Sequence, residues 1–358
     1  MVEDISFQSP ELFEMNKKTL HIVYSLPQTK IDKLFFLFLK SRLGARTCES
    51  LKWPFPIKAP LSITYNIAQA FKNEVAIKLY DLRERVKIVP QKGDILLGHP
   101  HIDPHSVMWD ALNNKNFSAK YLISPYNHNV SQVSWFREAV NKCDRYFAIC
   151  GQYWFDTFHH SPFLNMAHRI VHVNMAINTA DYPFLKTKFN QPGKRRFLYI
   201  GRYGHFGDEK GIALLEKMAA RIPDFQGGYI CEGGEIKGWN LISQPTKLTP
   251  EFMAHLAESY DFFINMSRAD AQATTVLEAM SWGFPVACTK ETGYSDENLF
   301  LLELDDIEQN IAVVEKMQNL SDDELLCISK NNRMLVETQY NWQNFGNVLK
   351  AHIALRER

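Results

Sequence analysis

The sequence lacks any paired-cysteine signature. Its six cysteines, Cys48, Cys143, Cys150, Cys231, Cys288 and Cys327, are scattered, with no C-x-x-C pair and no regular Cys/His spacing. Structural zinc sites are therefore not expected, and reduced, buried thiols are. It also lacks a run of about 20 apolar residues, the length a membrane-spanning helix requires. The run worth testing, Leu34 to Leu39, is far shorter and carries three phenylalanines among Lys30, Lys33, Lys40, Arg42 and Arg46. The segment Leu34–Arg46 suits either a buried element with solvated ends or peripheral docking on an anionic membrane surface. Met1–Pro10 lacks the basic start and apolar run of a signal peptide, so a cytoplasmic chain is expected, at the inner face of the membrane if Leu34–Arg46 docks.

Excess charge of either sign is missing as well. Lys plus Arg total 40 and Asp plus Glu total 40, so no nucleic acid is expected as partner, and any bound anion should be small and held locally. Neither a G-x-G-x-x-G nor a Walker A spacing occurs, which argues against dinucleotide dehydrogenases and P-loop enzymes. No Asp-x-Asp follows a strand, so the arrangement that holds Mg²⁺ against a sugar phosphate is absent; Asp322-Asp323 opens a polar helix instead. No metal and no resident cofactor are expected.

What is present is a βα rhythm on a chain of 358 residues, 46% hydrophobic, enough for two domains. Strand-length apolar runs at His21–Leu26, Val75–Leu79, Asp94–Gly98, Tyr121–Ser124 and Tyr146–Cys150 alternate with helical patterns such as Ile63–Lys72 and Val133–Cys143. After the surface connection at Asn190–Lys194 the rhythm restarts. Strands are expected at Phe197–Ile200, Gly228–Cys231, Phe262–Asn265 and Phe284–Cys288, and helices at Gly211–Ala220, Pro250–Glu258 (opened by Thr249) and Thr274–Ser281. The implied class is α/β, with two Rossmann-like domains facing a central cleft and ligands outside the carboxyl ends of the strands. The expected divisions are 1–188, joined by a C-terminal helix at about 343–358, and 189–342.

Two segments carry chemistry. Strand Phe197–Ile200 runs into Gly201-Arg202-Tyr203-Gly204-His205-Phe206-Gly207-Asp208-Glu209-Lys210-Gly211 and then a helix. Such a turn is either a surface loop or a phosphate cradle, in which glycines admit an anion, the helix offers unpaired N–H groups, and Arg202 and Lys210 supply charge. The second segment, Asn265 to Val286, contains Asp270 at a strand-end loop and Glu278 inside a mostly apolar helix, where an ionised carboxylate is costly without a partner. A carboxylate accepts two hydrogen bonds side by side, which suits vicinal ribose hydroxyls; a water-exposed Glu and a capping Asp are the alternative.

Together these segments resemble the retaining GT-B glycosyltransferases of family 4, which carry a G-R-x-x-x-x-K-G phosphate loop and an E-x7-E motif running into E-A-x-x-x-G-x-P-V. The match is closest over Glu278-Ala279-Met280-Ser281-Trp282-Gly283-Phe284-Pro285-Val286. The resemblance implies a metal-independent, retaining transfer of a sugar from a nucleotide-diphosphate donor to a glycan, lipid-linked glycan or small-molecule acceptor, as in polysaccharide biosynthesis. Arg202 and Lys210 would meet the diphosphate and Glu278 the ribose, with Gly201, Thr274 and Thr275 as further donor-binding positions. Asp270 stands where the family has the first Glu, and the Arg-to-Lys interval is three residues longer here. The family's reaction-centre histidine falls best on His128, with Tyr126, His101 and His105 as rivals; Gly233-Gly234 and Gly293 fall where the backbone nears the donor. Tyr340–Phe345 resembles the family's closing segment. A catalytically silent sugar-nucleotide-binding subunit and a GT-B-fold epimerase are the alternative functions.

Overall fold

The computed structural model describes residues 18–30, 44–128, 133–204, 208–244 and 248–355. Most of Leu34–Arg46, and His205, Phe206 and Gly207 of the phosphate loop, lie outside the described residues. In chain order the first elements are β1 (Thr19–Tyr24), α1 (Leu61–Phe71), β2 (Ala76–Asp81), β3 (Ile95–Gly98), α2 (Val107–Asn113), β4 (Ala119–Pro125), α3 (Val133–Asn141), β5 (Arg145–Ile149), α4 (Gln152–Asp156) and β6 (Ile170–Val173). They are followed by β7 (Phe197–Arg202), α5 (Ile212–Arg221), β8 (Gly227–Glu232), β9 (Asn240–Ser243), α6 (Pro250–Ser259), β10 (Phe262–Asn265), α7 (Thr274–Trp282), β11 (Val286–Thr289) and β12 (Phe300–Leu302). Three helices end the described chain: α8 (Ile307–Asn319), α9 (Asp322–Thr338) and α10 (Trp342–His352).

The strands form two six-stranded sheets, ordered β2-β1-β3-β4-β5-β6 and β12-β11-β10-β7-β8-β9. Strand pairings such as β1 with β3 and β7 with β10 are parallel. The chain divides into two units, one of residues 1–123, 134–146 and 349–358, the other of 124–133 and 147–348. The apolar strand patterns anticipated most of this, and Thr249 caps α6 as expected, its side chain accepting from the Phe252 N–H. β6, β9 and β12 were not anticipated: β6 (Ile170-Val171-His172-Val173) and β9 (Asn240-Leu241-Ile242-Ser243) are interrupted or flanked by polar residues and β12 has only three residues, so none shows an apolar run of strand length. Among the described residues no helix is long and apolar enough to cross a membrane.

Five of the six cysteines are buried, but Cys327 is exposed, which corrects the expectation of six buried thiols. The buried stripe of α9 runs through Leu325, Ser329, Asn332 and Val336, and position 327 falls off it.

In the first unit, His99 follows β3, its N–H bonded to the Val23 carbonyl at 2.9 Å and its ring edge-on to Tyr24. Its Nδ1 donates to the Pro100 carbonyl, yet burial dominates and pushes its pKa down to about 4. The folded state therefore resists protonation that the unfolded chain accepts below pH 6.5. Stability falls as pH drops from 6.5 to 4, and the shift corresponds to about 3 kcal/mol. Denaturant titrations at pH 7.5 and 4 should show wild type losing up to that much relative to His99→Gln; an equal loss in both proteins would refute this assignment.

In the second unit, β7 and β10 form the centre of the sheet. Phe197, Leu198, Tyr199, Phe262, Phe263 and Ile264 are all buried, as parallel strands covered on both faces require. Their amino ends are locked by Asp261. This fully buried carboxylate accepts from Lys186 Nζ at 3.1 Å, the Asn190 N–H at 2.9 Å, Asn190 Nδ2 at 2.8 Å and the Arg196 N–H at 2.8 Å. The Asp261 and Phe262 N–H groups in turn donate to the Arg196 carbonyl. Arg195, also buried, bonds the Met317 and Gln318 carbonyls and the Asp322 carboxylate at the start of α9.

Candidate active site

Read from its far edge, the second sheet has the order 9-8-7-10-11-12, which is the 3-2-1-4-5-6 order of dinucleotide-binding folds. Chain direction across the sheet reverses between β7 and β10, so a crevice opens beyond their carboxyl ends. A cavity of about 360 Å³ lies there, lined by Tyr199, Ile200, Gly201 and Arg202 of β7, Asn265 of β10, Lys210, Asp270, and Gln272 through Thr275. Six sequence-derived candidates therefore converge on one cavity: Gly201, Arg202, Lys210, Asp270, Thr274 and Thr275.

The backbone next to Lys210 is held by Gly211 and by Asp208. Gly211 takes φ +66°, and a Cβ there would fall 1.9 Å from the Met266 carbonyl oxygen; glycine lets the start of α5 press against the end of β10. Asp208 accepts from the Ala213 N–H at 2.9 Å and pairs with Arg268 at 3.2 Å, while the Arg268 N–H donates to the Glu209 carbonyl at 2.8 Å. Lys210 thus leaves a braced turn and forms an ion pair with Asp270, both about a quarter exposed. Gly201 is needed for another reason: a Cβ would meet the Tyr199 hydroxyl at 2.5 Å, and that hydroxyl donates to the Arg202 carbonyl. β7 runs two residues further than its apolar pattern suggests, because Gly201 and Arg202 continue the ladder opposite Cys231 and Glu232. Arg202 is consequently a rim residue, 70% exposed and 3.7 Å from the Glu232 carboxylate.

The loop Ala269–Ala273 is held by its carbonyls. Asn127 Nδ2 donates to Ala269, Trp154 Nε1 to Asp270, the Gly151 N–H to Ala271 and the Tyr294 hydroxyl to Ala273, all between 2.7 and 3.0 Å. The Asp270 and Ala273 N–H groups donate to the Glu291 and Thr292 carbonyls. Gln272 is buried, and its side chain accepts from the Met175 N–H at 2.5 Å. α7 then begins at Thr274 with no side-chain cap at Ala273. In its first turn the Val276 N–H is bonded to the Ala273 carbonyl, whereas the N–H groups of Thr274 and Thr275 precede any acceptor within the helix, and the positive end of its dipole lies where these two residues line the cavity.

Glu278 is not among the lining residues of this cavity. It sits one turn further along α7, buried, where Oε1 accepts from the Tyr182 hydroxyl at 3.1 Å. Burial, and then the Glu278 charge, raise the Tyr182 pKa, so the phenol remains a donor. His128 lies outside the lining too. Its Nε2 donates to the Trp154 carbonyl at 2.9 Å and its ring packs edge-on against Trp154, whose indole holds the Asp270 carbonyl. Burial lowers the His128 pKa, which favours a neutral ring. Of its rivals, Tyr126 is buried and bonded to Ser161, while His101 and His105 sit in the turn after β3 in the first unit, where His101 Nδ1 accepts from the Asp103 N–H and the His105 N–H donates to the Asp103 carboxylate. Gly293 adopts φ +96° against the Ala271 carbonyl, and Gly234 packs under the Tyr203 ring. Among the described residues no three or more His, Cys, Asp or Glu side chains are gathered as a cation site.

Asn265 and Gln272 escaped the sequence reading. A polar residue closing an otherwise apolar strand at the switch point was the available signal for Asn265. Nothing local marks Trp154 or Asn127, which meet the Asp270 loop across 116 and 142 residues of chain.

No family model matches the sequence, and a search of curated proteins finds no match. Solved structures do resemble it. TarM superposes with a TM-score of 0.54 at 15% identity over 74% of this chain; a Staphylococcus aureus TarM variant in complex with Fondaparinux, alpha-GlcNAc-glycerol and UDP gives 0.51 at 16%. This chain spans only 55% of the TarM chain. Sucrose-phosphate synthase from Thermosynechococcus elongatus gives 0.59 at 12% identity, covering 94% of this chain and 98% of its own. The apo lipopolysaccharide outer core galactosyltransferase WaaB gives 0.59 at 12%, covering 94% and 100%. Two six-stranded Rossmann-like sheets and these superpositions identify the fold as GT-B.

Proposed function

We propose that this chain is a glycosyltransferase moving a sugar from a nucleotide-diphosphate donor to a glycan, lipid-linked glycan or small-molecule acceptor, with retention and without a metal ion. The observation that carries the reading is the meeting of Arg202, Lys210 and the uncapped start of α7 in one cavity at the β7/β10 switch point. Two cations, Lys210 beside Asp270 and Arg202 on the rim, and a helix amino end suit a diphosphate. As the glycosidic bond breaks, negative charge grows on the leaving diphosphate, and preorganised donors stabilise it most in the transition state, the role a divalent cation otherwise fills. Asp270, in the same cavity, accepts hydrogen bonds from hydroxyls of the transferred sugar. Glu278, one turn along α7 from Thr274, is the acceptor in this reading for the ribose hydroxyls. The shared fold of a galactosyltransferase and of a protein solved with UDP supports this reading.

The test is turnover of labelled nucleotide sugars carrying uridine, guanosine, adenosine, cytidine and thymidine diphosphates, with excess EDTA and the product anomer read by NMR. One donor should be consumed at a rate that the chelator leaves unchanged. Consumption of none, or loss of turnover with EDTA, would count against the proposal.

A further inference from the structure

The ion pair between Lys210 and Asp270 joins two groups that line the same cavity. Resting on the donor reading above, we propose that Asp270 is a specificity residue that makes the cavity discriminate against a nucleoside diphosphate lacking its sugar. Before ligand enters, the Asp270 carboxylate neutralises Lys210. A nucleoside diphosphate must take Lys210 from that partner and then leave an anionic carboxylate beside its own phosphates, a like-charge contact in a partly enclosed site. A nucleotide sugar meets the same competition but brings hydroxyls that donate to the released carboxylate, offsetting the repulsion with charge-assisted hydrogen bonds.

The backbone on either side of the Asp270 carboxylate is held in place. The Asp270 N–H is bonded to the Glu291 carbonyl, its own carbonyl to Trp154, and both neighbouring carbonyls, Ala269 and Ala271, are held as well. The backbone next to Lys210 is likewise held, by the close approach of Gly211 to Met266, by Asp208 accepting from Arg268 and the Ala213 N–H, and by the Glu209 carbonyl accepting from the Arg268 N–H. Two segments whose backbones are held therefore present opposite charges to one another, and an entering ligand must separate them. The consequence is functional: after transfer, the diphosphate product has lost the hydroxyls that compensated Asp270, and the re-forming Lys210–Asp270 pair favours its departure.

The experiment compares wild type with the isosteric Asp270→Asn by calorimetric titration, using UDP, GDP, ADP, CDP and dTDP and, for the base that binds, the corresponding diphosphate-glucose or diphosphate-mannose. Asp270→Asn should bind the nucleoside diphosphate about tenfold tighter or more, with a smaller gain for the nucleotide sugar, so that preference for the sugar-bearing ligand shrinks. Melting temperatures of both proteins, measured in parallel, establish that the variant is folded. Diphosphate binding by wild type with equal or weaker binding by the folded variant overturns this inference alone and leaves Asp270 as a support for Lys210. Binding of no nucleotide by either protein overturns the donor reading and this inference with it.

Discussion

Lys210→Ala is expected to lower kcat/KM for the nucleotide-sugar donor by about 10²- to 10³-fold, the cost typical of removing one preorganised donor from a developing anion. The effect has two sources. The variant loses a positive charge from the diphosphate position, and it leaves Asp270 without its ion-pair partner in the same cavity. Stability should hardly change, because the pair is partly solvent-exposed and such pairs contribute about 0–1 kcal/mol. Loss of rate at an unchanged melting temperature is the signature to look for. Lys210→Arg should recover only part of the activity, since a planar guanidinium from this braced loop cannot occupy the position of a compact ammonium. Steady-state kinetics on all three proteins check this, and a Lys210→Ala enzyme within threefold of wild type would refute the assignment.

Asp261→Ala should be the most destabilising single change named here, at about 3–5 kcal/mol, the range for stripping a partner from a buried charge. It strands the Lys186 ammonium, which burial already drives toward its neutral form and Asp261 holds charged, together with the Asn190 and Arg196 N–H groups. Lys186→Met should cost less. Asp261 would keep three donors, and among the described residues the lost ammonium otherwise bonds the Ala257 carbonyl and packs over the Phe189 ring. Denaturant unfolding of both variants gives the comparison; an equal cost would mean that the carboxylate is not the hub. The consequence reaches the cavity. Asp261 fixes the amino ends of β7 and β10 against each other, and their register decides whether Gly201, Arg202 and Asn265 emerge side by side at the carboxyl ends.

Much of this was legible in the sequence because it is written locally. The apolar runs of β7, β8 and β10 declare buried parallel strands, and the glycines from Gly201 to Gly211 declare the connection between β7 and α5. Glu278 inside an apolar helix predicted a buried carboxylate with a partner, and Tyr182 is such a partner. The identity of that partner was not legible, since it lies 96 residues away and no local pattern encodes such a meeting. The same holds for the ring of donors around Ala269–Ala273. Each comes from a distant segment, and each matters because it holds a carbonyl still rather than because it touches a ligand. His128 illustrates the limit from the other side: its position after β4 was anticipated, but its role in packing against Trp154 is set by tertiary contacts alone.

The central claim is that the cavity beyond β7 and β10 recognises a diphosphate. Its most direct measurement is a calorimetric titration of the wild-type protein with the diphosphate, monophosphate and free nucleoside of each base, repeated on Lys210→Ala. For at least one base the diphosphate should bind well over tenfold tighter than the monophosphate, and Lys210→Ala should bring the two to similar affinity. Equal affinity for diphosphate and monophosphate in wild type, or a diphosphate preference that survives loss of Lys210, would contradict it.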